Sequence, residues 1–167
     1  MDNASIMQSL KERVRQEKET QQIDQDLTKY VLFMVGEKRY ALRADEVREI
    51  SFDNELYYVP FVPPYVRGYA NRHGQPFTVF DVQMLFHGTS LESTTLLILD
   101  IANDQLALLI TDVDEIVKLP RSETHPLASS DDTARYFTHS ITARDAEVFV
   151  LNTSTLLERL ERDVERN

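Results

Sequence analysis

Apolar and polar positions change rhythm twice along this chain. Over residues 1 to 28 the spacing is helical: Ile6, Leu10 and Val14 fall four apart, and Ile23 and Leu27 could extend the stripe. Lys11, Glu12, Arg13, Arg15, Glu17, Lys18 and Glu19 fill the other faces. Such a thin stripe makes an isolated helix marginal in water, so residues 1–28 read as a helical extension that is frayed or docked on the body or a partner. From Tyr30 the period becomes that of strands. Tyr30 to Val35, Tyr40 to Leu42 and Val47 to Ile50 read as strands, with a turn at Gly36-Glu37-Lys38 and a short helical turn from Arg43 to Glu46. Leu56 to Val59 reads as another short strand before Pro60, Pro63 and Pro64 impose a loop. Phe77 to Val82, Thr94 to Ile101, Gln105 to Ile110, Val113 to Leu119 and Glu147 to Leu151 follow, with a turn at Asn103-Asp104 and a polar loop over 121–135. The helical rhythm then returns. Leu156, Leu157, Leu160 and Val164 form one face, and Thr155 with Glu158 makes a capping-box pattern, with Thr153 and Ser154 as alternative caps.

The strand region repeats itself. An offset of 66 lays Val31 to Ile50 on Leu97 to Ile116 without a gap. Ala41-Leu42 falls on Ala107-Leu108, and Val47, Glu49 and Ile50 fall on Val113, Glu115 and Ile116. The turn Gly36-Glu37-Lys38 falls on Ala102-Asn103-Asp104. This is the signature of one supersecondary unit used twice, and two copies are too few for a solenoid. Many short strands with helices only at the ends predict an all-β barrel or sandwich core.

Composition narrows the function classes. The 167 residues suit one domain or two intimate halves. With no cysteine there is no disulfide framework, no zinc–thiolate site and no thiol nucleophile. A net charge of −10 disfavours nucleic acid, which needs a basic face. No apolar leader core is present, and runs such as Leu106 to Ile110 are far too short to cross a bilayer, so the expectation is a cytoplasmic protein without membrane insertion. His73, His87, His125 and His139 show no metal-binding spacing, and no nucleophile elbow or phosphate loop occurs. The chain therefore reads as no enzyme, with no metal and no cofactor. Pro60-Phe61-Val62-Pro63 matches a short P-x-x-P pattern and reads as a rigid loop rather than a peptide ligand.

The stretch from Val66 to Val82 resembles the central signature of the CheW-like chemotaxis domain, through Gly68, Asn71, Gly74, Val79 and Asp81. Tyr40, Leu42, Val47, Glu49 and Ile50 resemble its upstream motif, and Leu108 and Val113 its downstream one. The resemblance runs from about residue 29 to 160. It implies an all-β fold of two small five-stranded β-barrel subdomains packed together, with an N-terminal and a C-terminal helix, the domain occupying residues 29–167. It implies a non-catalytic adaptor coupling the cytoplasmic tip of chemoreceptors to the regulatory domain of a CheA-type histidine kinase, at membrane-associated arrays. Val47, Glu49 and Ile50, then Asn71, Arg72 and His73, become the candidate partner-binding residues; Gly68, Gly74 and Asp81 become structural support.

Three positions depart from the pattern. The family's arginine is His73 here, with Arg72 displaced by one position. A strand proline is Thr78, and a downstream aspartate is Thr111, with Asp112 one position late. Arginine grips a carboxylate with two parallel hydrogen bonds and histidine cannot, so a Glu49–His73 pair would depend on protonation. The alternative reading is a diverged interaction module of an accessory chemosensory or pilus-motility system that does not bind the main kinase.

Overall fold

The computed structural model describes residues 2–101, 104–128 and 130–166. A helix α1 (Asn3–Gln25) leads into strands β1 (Leu27–Val35), β2 (Lys38–Arg43), β3 (Val47–Ser51), β4 (Val66–Arg72) and β5 (Gln75–Phe80). A short helix α2 (Val82–His87) precedes β6 (Thr95–Leu99), β7 (Leu106–Ile110), β8 (Asp112–Pro120) and β9 (Thr124–His125). Strands β10 (Phe137–Ala143) and β11 (Ala146–Leu151) and helix α3 (Thr153–Glu165) complete the chain.

The strands form two sheets. One has six strands in the order β8-β1-β2-β11-β10-β9, and the other five in the order β3-β6-β7-β5-β4. The larger core lies between them. Phe33, Tyr40 and Leu42 from the first sheet meet Phe80, Leu97, Leu99 and Leu108 from the second. Strand β7 is buried at every position, as an interior strand covered on both faces should be. A smaller core around Leu32, Ala41, Ile141 and Val150 fills the other face of the six-stranded sheet.

The repeat is realised by exchange. β1 and β2 form a hairpin in the six-stranded sheet, but β3 crosses to pair with β6. Its counterpart β8 crosses back to pair with β1. The two registers match residue for residue. Val47↔Leu99, Glu49↔Ile98 and Ile50↔Leu97 correspond to Val113↔Phe33, Glu115↔Leu32 and Ile116↔Val31, with a β-bulge at the same place in each. The remaining strands also repeat, at an offset of 71, which carries β4, β5 and α2 onto β10, β11 and the start of α3. Backbone bonds Asp81 N–H to Tyr65 C=O and Asn152 N–H to Tyr136 C=O, each 2.7 Å, occupy equivalent places. So do the parallel pairs Val79↔Ala107 and Val150↔Ala41.

Several expectations need correction. The described pairings leave both sheets open, of six and five strands, rather than closed into two five-stranded barrels. Each sheet is assembled from both repeats, and the two-residue β9 extends one of them. Leu56 to Val59 supplies only an isolated bridge, Tyr57↔Tyr69, because Pro60 and the positive φ of Phe61 (60°) stop the run. Helices are not confined to the ends, since α2 lies inside the chain. The polar stretch over 121–135 contains β9 and two single helical turns. Leu27 belongs to β1, paired with Pro120, not to the first helix. The side chain of Ile23, and Ala102 and Asn103 of the second expected turn, lie outside the described residues. The cap of α3 is Asn152, whose side chain accepts from the Thr155 N–H at 3.2 Å. Asn152 has the extended backbone that a cap requires, whereas Thr153 to Thr155 are already helical.

Candidate functional site

Glu49 sits on an edge strand of the five-stranded sheet, just past a bulge. Arg48 is the extra residue there, between the pairs Val47↔Leu99 and Glu49↔Ile98. Bulges at sheet edges re-aim side chains, and this one leaves Val47 and Ile50 half-buried against the larger core while Glu49 meets the β4–β5 hairpin.

That hairpin turns through His73 and Gly74, with φ of 52° and 79°. Two consecutive positive φ values suit the tight turn that matches strand twist. The turn places Arg72 and His73 on either side of the Glu49 carboxylate. Arg72 Nε and Nη2 stand 2.8 and 2.7 Å from Oε1. His73 Nε2 stands 3.7 Å from Oε2, too long for a hydrogen bond and charged only when protonated. The hydrogen bond from Arg72 holds the Glu49 carboxyl below its ordinary range, with a smaller contribution from His73. The displaced arginine thus supplies the grip that sequence reasoning had left to a histidine. Asn71 is exposed on the same hairpin.

The supporting residues have concrete duties. Asp81 is fully buried and caps α2, accepting from the Met84 N–H at 3.0 Å and the Leu91 N–H at 2.9 Å. Its second oxygen also accepts from Arg67 Nη1 at 3.0 Å. Gly68 lies beside the Tyr57 bridge, where a Cβ would stand 2.1 Å from the Tyr57 carbonyl oxygen, and its φ is 124°. Only glycine tolerates both conditions.

Sequence reasoning missed the second appearance of this geometry. Arg144 and Asp145 turn the β10–β11 hairpin with φ of 48° and 59°, in the places of His73 and Gly74. Arg144 grips Glu115 with Nε 2.8 Å from Oε1 and Nη2 2.9 Å from Oε2. The repeat had paired Glu49 with Glu115, but the extra residues between the two halves hid the matching hairpin. No group of three or more His, Asp or Glu among the described residues is arranged to hold a metal ion.

Residues 29–161 match the CheW-like domain as a family. The chain belongs to that family. The CheW-like fold is also seen in the scaffolding protein TtCheW from Thermoanaerobacter tengcongensis, which is 21% identical and superposes with a TM-score of 0.67 over 75% of this chain and 89% of that one. No curated protein matches the sequence. CheW-like proteins are non-catalytic scaffolds, and an adaptor role follows for this one. No helix among the described residues is long and apolar enough to cross a membrane.

Proposed function

We propose that this CheW-like chain couples the cytoplasmic tip of a chemoreceptor to the regulatory domain of a CheA-type histidine kinase, and that it docks through the Glu49 end of the five-stranded sheet. One observation supports this most directly. Glu49, Arg72 and His73 converge on one exposed rim, beside half-buried Val47 and Ile50 and exposed Asn71. Apolar surface there supplies affinity, and the rim charges tune partner choice. Gly68, Gly74 and Asp81 hold the rim in place without touching the partner.

Calorimetric titration with the kinase regulatory domain from the same cell tests the proposal. Saturable binding that is lost in Glu49→Lys is the expected result. Binding weakened by His73→Ala in a protein that stays folded assigns a share to His73. A flat titration with the folded wild-type protein moves the search to accessory chemosensory or pilus-motility kinases.

A further inference from the structure

Two apolar surfaces among the described residues are left unpartnered, and the Lys11–Lys18 margin of one is opposite in sign to the acidic border of the other. The first is α1. Every described side chain from residue 2 to 22 is exposed. Ile6, Met7, Leu10 and Val14, at 46 to 57% exposure, line one side of the helix. Helical geometry places Lys11 and Lys18 along one margin of that stripe and Arg13, with Asp2 near it, along the other. Glu12 and Glu19 fall on the far side, where Arg15 pairs with Glu19, while Glu17 follows the stripe one turn beyond Val14. A helix of this length with no packed face is poorly stabilised alone.

The second surface is the loop between β3 and β4. Phe61 is 90% exposed, Tyr58 81% and Phe52 61%. Phe61 holds a φ of 60°, uncommon for a bulky residue, between Pro60 and Pro63-Pro64. Strain of this kind persists where the surroundings impose it and marks candidate functional positions. Tyr57, stacked on Tyr69 at 5.1 Å, ties the loop to the edge of β4. The loop, held at Tyr57, thus presents the exposed aromatic side chains of Phe52, Tyr58 and Phe61. Its charges are acidic only: Asp53 and Glu55 are present, and residues 49–66 contain no Lys, Arg or His.

We propose that α1 of one copy docks on the Phe52–Phe61 loop of a second copy. Apolar side chains meet aromatic ones, and Lys11 and Lys18 face Asp53 and Glu55. The occupant follows from charge. Pairing α1 with α1 would bring basic margins together, and pairing loop with loop would oppose carboxylates. The cross-pairing covers both apolar surfaces and sets the Lys11–Lys18 margin against carboxylates. Made reciprocally, such a contact closes a two-fold dimer; made one way, it propagates head to tail unless the geometry closes a ring. The kinase reading stands or falls separately, since none of Glu49, Arg72 and His73 takes part in this contact.

The test is sedimentation velocity of the full-length protein over a wide concentration range, at low and high salt. Mass that rises with concentration, and rises less at high salt, is expected. Leu10→Glu alone and Phe61→Ser alone should each abolish that rise. Both residues are exposed, and circular dichroism would show both variants folded. An equimolar mixture of the two variants keeps one intact loop and one intact helix, and should form a one-to-one dimer that neither variant forms alone. Lys11→Glu with Lys18→Glu should lose association, and Asp53→Lys with Glu55→Lys in the same chain should restore it. A chain that stays monomeric at every concentration overturns the proposal. So does association that survives Phe61→Ser, or a mixture that does not dimerise.

Discussion

Glu49 meets a guanidinium from Arg72 and an imidazole from His73, and the two respond differently to substitution. Since Arg72 is the larger cause of the lowered Glu49 carboxyl, Arg72→Ala should move its titration upward toward the ordinary value. His73→Ala should move it much less. Carbon-detected NMR of the side-chain carboxyl reads both directly. Asp81 is a second test at this scale. Asp81→Ala removes the α2 cap, leaves the Leu91 N–H without its acceptor and strips Arg67 of its carboxylate. The expected loss is about 3 kcal/mol, seen as a lower denaturant midpoint. The residue types at this rim were legible in the sequence: Glu49, Arg72 and His73 stood out from their motif positions. Their division of labour was not, because it depends on turn dihedrals that place consecutive side chains on either side of one carboxylate.

At the scale of elements, the sequence showed strands wherever apolar runs were long, and hid them where pairing did the work. Strand β4 contains Gly68, Asn71 and two arginines, a poor strand composition, yet it is held by β5 and by the Tyr57 bridge. Strand β10 carries polar Thr138, His139, Ser140 and Thr142 among its seven residues and is likewise fixed by β11. Tertiary pairing overrides weak local preference in both cases. Gly68→Ala should therefore destabilise by more than about 1 kcal/mol and loosen the Tyr57–Tyr69 stack, which the near-ultraviolet circular dichroism of these tyrosines would report. Helix α3 forms where its pattern placed it, although Asn152 caps it and Val164 is exposed. Leu156 is fully buried and Leu160 packs on the core, so Leu156→Ala should cost about 2–4 kcal/mol in thermal or denaturant unfolding.

Across the whole molecule, stability should depend on pH through His139. This residue joins β10 to β1 by a 2.9 Å hydrogen bond with the Tyr30 hydroxyl. Burial first, and Arg43 second, push its pKa below the ordinary value. Protonation therefore favours the unfolded chain. The stabilising contribution is present above the unfolded value of ~6.5 and is lost as pH falls from there through the depressed folded one. Glu49 and Asp163, both lowered by arginine hydrogen bonds, lose theirs only in the more acidic carboxylate range. Unfolding midpoints measured on both sides of the histidine range should fall on acidification, and His139→Gln should flatten that step.

The exchange of strands between the halves also sets an order of events during synthesis. Strand β1 finds its outer neighbour only when Asp112–Pro120 has been made, and β2 waits for Ala146–Leu151 near the C-terminus. A ribosome that has not yet made β7 carries β1–β2 and β4–β5 hairpins whose remaining partners do not yet exist. Domains usually fold as units while they emerge. Here the nascent chain must keep apolar strands such as Tyr30–Val35 open until Asp112–Pro120 has been made, and the six-stranded sheet is completed only once Ala146–Leu151 has followed.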